Sequence, residues 1–187
     1  DGLISTFLKG MVKCTGYKPG ALEDRYDSDG VFLYDRLNKS DMEMLELAIR
    51  CHNMYRIPQG LNRREQAFCN VLRDADKVDI FKVNIDTPLE EIYNTTTEEL
   101  MKSDITDEVL KAFDEEHCIL KAIRRTPADT VIGHVSLAYE LVYDESVRIT
   151  VEQGYLAKLM HFHSDNEETN RKMAMVREKM ETNLKKR

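Results

Sequence analysis

Residues 62–82, NRREQAFCNVLRDADKVDIFK, decide the fold class. The Asn62 side chain can accept from the first free backbone N–H groups of a helix, so it predicts a long helix from Arg63 to about Lys82. Gln66, Asn70, Arg73 and Lys77 recur at three- and four-residue steps and predict a polar edge, while Phe68, Cys69, Leu72 and Ile80 take the other side. At about 100° per residue, Asp76 and Asp79 fall on that apolar side, and Asp74 points nearly the opposite way from Asp76. Asp76 therefore reads as a carboxylate in an apolar row.

Upstream, Ser40 and Glu43 have the spacing of a capping box and predict another helix start. Met42, Leu45, Ala48, Ile49 and then His52 continue one face until Pro58 and Gly60 end the element, which makes His52 part of a buried stripe. Val31, Leu33, Tyr34 and Leu37 predict a helix of two to three turns over 29–37, ended at Asn38. Residues 1–26, broken by Gly2, Gly10, Gly16, Pro19 and Gly20, predict one short helix. Downstream, Thr87 with Pro88, Thr95–Thr97 with Glu98, and Thr106 with Asp107 each mark a short helix, the last running to about His117. Asp129 or Thr130 opens a helix so apolar, through Val131, Ile132, Val135, Ala138, Tyr139, Leu141 and Val142, that it belongs at the centre. Gly154 interrupts the next segment, and a weakly amphipathic extension occupies 166–187. No β-alternation, repeat or low-complexity tract competes with this reading. The expected architecture is all-α, an orthogonally packed helical bundle forming a single domain over 1–187.

Composition narrows the function classes. Of 187 residues 42% are apolar and 33% charged, a balance suited to a water-exposed globule. A formal net charge of −7 opposes binding to a polyanion, so no nucleic-acid partner is expected. No apolar run approaches the roughly 20 residues that cross a bilayer, and the opening lacks the pattern of a secretory signal, so no membrane partner and a cytoplasmic location are expected. Cys14, Cys51, Cys69 and Cys118 show no paired spacing, which predicts neither disulfides nor zinc knuckles. The methionines read as core filler, except that Met173, Met175 and Met180 on the last helix suggest a homodimer contact.

Burying a lone carboxylate or imidazole costs roughly several kcal/mol, so His52 and Asp76 on apolar faces must be paired with each other or bound to a metal. The first is a hydrogen bond tying two helices; the second is a site of imidazole nitrogen and carboxylate oxygen suited to iron, manganese or zinc. The runs AIRCHNMYRIP at 48–58 and LRDADKVDIFKVN at 72–84 resemble the second half of the HD superfamily of metal-dependent phosphohydrolases, and the similarity continues through EEIYNTTTEEL at 90–100 and GHVSLAYELVY at 133–143. That resemblance implies a helical HD-type fold and a divalent ion (Mn, Fe, Zn or Mg) that activates water against a nucleotide or other small phosphate ester. It implies His52 and Asp76 as metal ligands, Asp79 as the group that accepts the proton, and Asn53, Arg73 and Lys77 as substrate contacts.

The chain departs from the family in one respect. No histidine precedes His52, so the His-Asp dyad that names the superfamily is absent, and Tyr26, Asp27, Ser28 and Asp29 stand where a further ligand is expected. Either an upstream segment completes the site, or the chain is a degenerate, non-catalytic helical module that binds a ligand or partner. Asp27 or Asp29 could supply an oxygen ligand. Among the remaining histidines, His134 reads as a core residue bonded to a backbone carbonyl, His117 as a helix-end residue, and His161 and His163 as surface residues.

Overall fold

The computed structural model describes residues 39–187, and every regular element among them is helical. The chain divides into two compact units, Asp1–Asp76 and Lys77–Arg187. Among the described residues no helix is long and apolar enough to cross a membrane. The helices expected over 1–26 and 29–37 lie outside the described residues.

In the first unit, α1 covers Lys39–Cys51 and α2 starts at Arg63. Asn62 caps α2 as expected: its Oδ1 accepts from the backbone N–H groups of Arg64 (2.9 Å) and Glu65 (3.0 Å), while Glu65 Oε2 accepts from the Asn62 N–H at 2.9 Å. Each bond satisfies a donor that the first helical turn leaves free. The start of α1 differs from expectation, because Ser40 lies inside the helix rather than ahead of it. Its buried face differs too. Met44, Ala48 and Cys51 point inward, whereas Ile49 is 49% exposed, so the inward stripe is rotated from the one that Leu45, Ile49 and His52 suggest. Among the described residues, Ala48, Cys51, Cys69 and Leu72 form a buried cluster with partly buried Leu45, Leu47, Ile57, Leu61, Phe68 and Val71 packed against it.

The helix α2 runs over Arg63–Asp86, one turn further than its apolar pattern suggests. Within the second unit follow α3 (Leu89–Tyr93), α4 (Thr97–Lys102), α5 (Asp107–Asp114), α6 (Pro127–Val135), α7 (Asp144–Gln153), α8 (Tyr155–Met160) and α9 (Glu167–Lys185), with short 3-10 turns at Lys121–Ile123 and Ser136–Glu140. Threonine caps begin three of them. Thr96 with Glu99 and Thr126 with Asp129 form capping boxes, and Thr106 accepts from the Val109 N–H. The apolar central helix thus begins at Pro127, two residues before the expected start, because Thr126 rather than Asp129 is its cap. Gly154 takes φ +71 between α7 and α8, a left-handed turn that costs a residue without Cβ little.

That central helix contributes Ala128, Val131, Ile132 and Val135, each fully buried, to a core shared with Phe81, Leu100, Ile105, Val109, Phe113, Leu156, Met173 and Met180. A methyl on Gly133 would overlap the Arg124 guanidinium as it lies, so a side chain there would displace the end of that flexible group. The last helix is part of this core rather than an extension: Met173 and Met180 are buried within the unit, and only Met175 of the three methionines is exposed, at 64%.

Two buried polar groups tie this unit together. Asp129, fully buried, accepts from the Thr106 N–H (2.8 Å), the Arg125 N–H (2.9 Å) and the Thr126 N–H (3.2 Å), joining two helix starts through one carboxylate. Lys172 on α9 lays its stem along the core and places Nζ against the Ile105 carbonyl, Asp104 and, at 3.2 Å, Asp107.

Candidate metal centre

His52 follows α1 directly and starts the turn that links it to α2. Its ring is half-buried, and Nδ1 lies 2.6 Å from the Ile49 carbonyl. A carbonyl only accepts, so Nδ1 carries the hydrogen and, in the neutral ring, Nε2 holds the free lone pair. Metal-bound histidines commonly show this arrangement, with one nitrogen donating to a backbone carbonyl and the other left to ligate. The same bond serves equally well to hold an ordinary imidazole at a helix end.

Arg73 fixes the turn behind His52. It is only 7% exposed, and its guanidinium donates to the carbonyl of Cys51 at 3.1 Å, to that of Met54, and to that of Tyr55 at 3.4 Å. Those carbonyls belong to the end of α1 and the turn after it, where a helix leaves acceptors unsatisfied. The planar guanidinium, with several donors in one fork, suits that task better than a lysine ammonium. The segment AIRCHNMYRIP is therefore held to the segment RDADKVD by one side chain. Asn53 lies exposed on the same turn.

On α2 the burial pattern corrects the sequence reading. Arg73 and Lys77, placed on a polar edge by spacing, are buried at 7% and 4% exposure, and Asp74, expected to point away from the apolar side, is 2% exposed. Asp76, the carboxylate expected in the apolar row, is only half-buried. The reason is that side chains with long apolar stems can occupy an inward stripe when their heads find partners, as Arg73 does on three carbonyls. Lys77 and Asp79 fall in the second unit, Lys77 buried and Asp79 half-buried.

Among the described residues no three His, Cys, Asp or Glu side chains gather as a metal-holding group. A closed or catalytic site for a divalent ion takes three or more protein ligands, so residues 39–187 do not by themselves fit a complete centre, and no catalytic step is derived through one. Asp27 and Asp29 lie outside the described residues.

The other histidines occupy varied places. His134 Nδ1 lies 2.7 Å from Asn84 Oδ1, a side-chain partner rather than the backbone carbonyl expected, and the Tyr93 hydroxyl donates to the same oxygen at 2.8 Å. Asn84 in turn donates to the Ile80 carbonyl at 2.8 Å, so this buried network is satisfied along its length. Burial, together with the nearby Arg124 and Lys121 charges, pushes the His134 pKa down to about 4. His117 pairs with Glu115 at 2.9 Å past the end of α5, and its pKa is raised, first by the Cys118 carbonyl and also by Glu115. His161 and His163 are exposed, as expected.

Sequence reasoning missed two features: the Arg73 clamp and the Asn84–His134–Tyr93 network. Both join residues remote in the chain. Periodicity along one helix carries no signal for either. The chain matches no protein-family model, no curated protein and no solved structure.

Proposed function

We propose that this chain is a divalent-metal-dependent phosphohydrolase of HD type acting on a nucleotide or other small phosphate ester. In this reading His52 and Asp76 contribute ligands, and Asp27 or Asp29, outside the described residues, would supply an oxygen ligand. The observation that carries it is His52 itself: on a turn clamped by Arg73, its Nδ1 donates to the Ile49 carbonyl and leaves Nε2 as the free nitrogen. The ion, Mn, Fe, Zn or Mg, would lower the pKa of a bound water and polarise the phosphoryl group. Arg73, a substrate contact on the resemblance, also holds the turn through three carbonyls.

The test is elemental analysis after incubation with each ion, on the wild type and on Asp76→Ala and His52→Ala, followed by phosphate release from a panel of nucleotides and sugar phosphates. About one or two ions per chain, lost in both variants, with phosphate release that needs the ion, is the expected result. Failure of the wild type to retain any ion overturns the proposal.

A second reading is favoured by the commitment of Arg73 to backbone carbonyls and by the depth of Asp74. On it the charged motif is a structural tie, and the chain is a non-catalytic helical module that binds a ligand or partner. Its signature is Asp76→Ala lowering the melting temperature with no ion bound to either protein.

A further inference from the structure

Cys51 closes α1 and Cys69 sits in the second turn of α2. Both are free thiols, 2% and 0% exposed, in one buried cluster with Ala48 and Leu72. The two residues pack in that one cluster, and Cys51 is among the groups that act on the Cys69 thiol. The backbone around them is pinned as well, since Arg73, one turn beyond Cys69, donates to the Cys51 carbonyl at 3.1 Å. Spacing in the sequence gives no hint of this pair, because the two residues come from different helices.

We propose that Cys51 and Cys69 form a dithiol that a peroxide oxidises to a disulfide joining α1 to α2. In the first step one sulfur, as its thiolate, attacks the O–O bond of hydrogen peroxide, taking one oxygen as a sulfenic acid and releasing hydroxide, which becomes water. The neighbouring thiol then loses its proton and attacks the sulfenic sulfur; the S–S bond forms and the hydroxyl leaves as a second water. Two thiols and one peroxide give one disulfide and two waters, the two electrons coming from the sulfurs.

Two properties set the rate. Burial first, then Cys51 and Glu65, push the Cys69 thiol up to about 11 against the lowering pull of the Arg73 charge, so little thiolate forms near neutrality. Peroxide must also reach a buried pair, which takes a local opening of the fold. Oxidation is therefore slow at pH 7 and accelerates toward pH 9. Because Cys51 directly precedes His52, the bond ties the His52 turn to α2 covalently, and a reductant releases it.

The experiment treats the folded full-length protein with hydrogen peroxide at pH 7 and pH 9, blocks remaining thiols, and maps tryptic peptides without reduction. The expected product is a species linking 51–56 to 65–73, formed up to about tenfold faster per pH unit, removed by dithiothreitol, and retained when Cys14 and Cys118 are both changed to Ser. Circular dichroism of the oxidised protein should keep its helical signal. Recovery of Cys51 and Cys69 as blocked thiols while Cys14 or Cys118 oxidises, linkage of Cys51 to Cys14, or a crosslink that forms only in urea would each overturn the assignment. The decisive species is read on the wild type, so it does not depend on a variant folding.

Discussion

The Arg73 guanidinium loses water on burial and recovers that loss through partners that include the carbonyls of Cys51, Met54 and Tyr55. Arg73→Met keeps the apolar stem and removes every donor, leaving three acceptors without their partner. A loss of roughly 2–4 kcal/mol in urea unfolding is expected, with Arg73→Lys recovering part of it through a single ammonium. A change below about 0.5 kcal/mol would show that water replaces the clamp. His134 makes a second residue-level prediction. Its folded pKa is lowered to about 4 from the usual 6.5, so between those values the unfolded chain binds a proton that the folded one refuses. Its contribution is complete above about pH 6.5 and is lost as pH falls toward 4, up to about 3 kcal/mol. His134→Asn, which can still donate to Asn84, should flatten that part of the stability–pH curve; an unchanged slope between pH 7 and 4.5 would assign the acid sensitivity elsewhere.

At the scale of the element, helix starts follow from chemistry within a few residues. Asn62, Thr106 and Asn166 cap the helices that the sequence reading begins there, and Thr96 falls within the start read at Thr95–Thr97, since a side-chain oxygen and the next three N–H groups form a closed local system. Which face turns inward is decided elsewhere. Arg73, Lys77 and Lys172 are buried although their heads are charged, and for Arg73 and Lys172 the partners come from other parts of the chain, Cys51 to Tyr55 and Asp104 to Asp107. The same division runs through the candidate site. His52 and Asp76 are legible as chemistry-bearing residues, whereas the clamp behind His52 and the contact between Cys51 and Cys69 depend on how α1 and α2 meet. Asp129 illustrates how much one such residue can hold. It serves the starts of both α5 and α6, so Asp129→Ala should remove about 3 kcal/mol, and Asp129→Asn less, because one acceptor oxygen remains. Thermal unfolding of the two variants checks the order; equal losses would mean that the negative charge, rather than the number of acceptors, is what matters.

At the scale of the whole molecule, the described residues divide their apolar burial unevenly. The second unit builds its main core from Phe81 through Met180, with α6 fully buried along one side, while the described part of the first unit has Ala48, Cys51, Cys69 and Leu72. Local opening is governed by how much apolar contact must be broken, so the two regions should differ in protection from hydrogen exchange. Backbone amides of Val131, Ile132 and Val135 are expected to exchange only through the largest openings of the molecule, and those of Ala48 and Cys51 through smaller ones, faster by at least tenfold, or about 1.4 kcal/mol. Added peroxide should slow exchange at Cys51 once the disulfide has formed, because the opening then has to carry a covalent tie to α2. Equal protection at Val131 and Cys51 in the reduced protein would instead mean that the described parts of both units unfold in a single step.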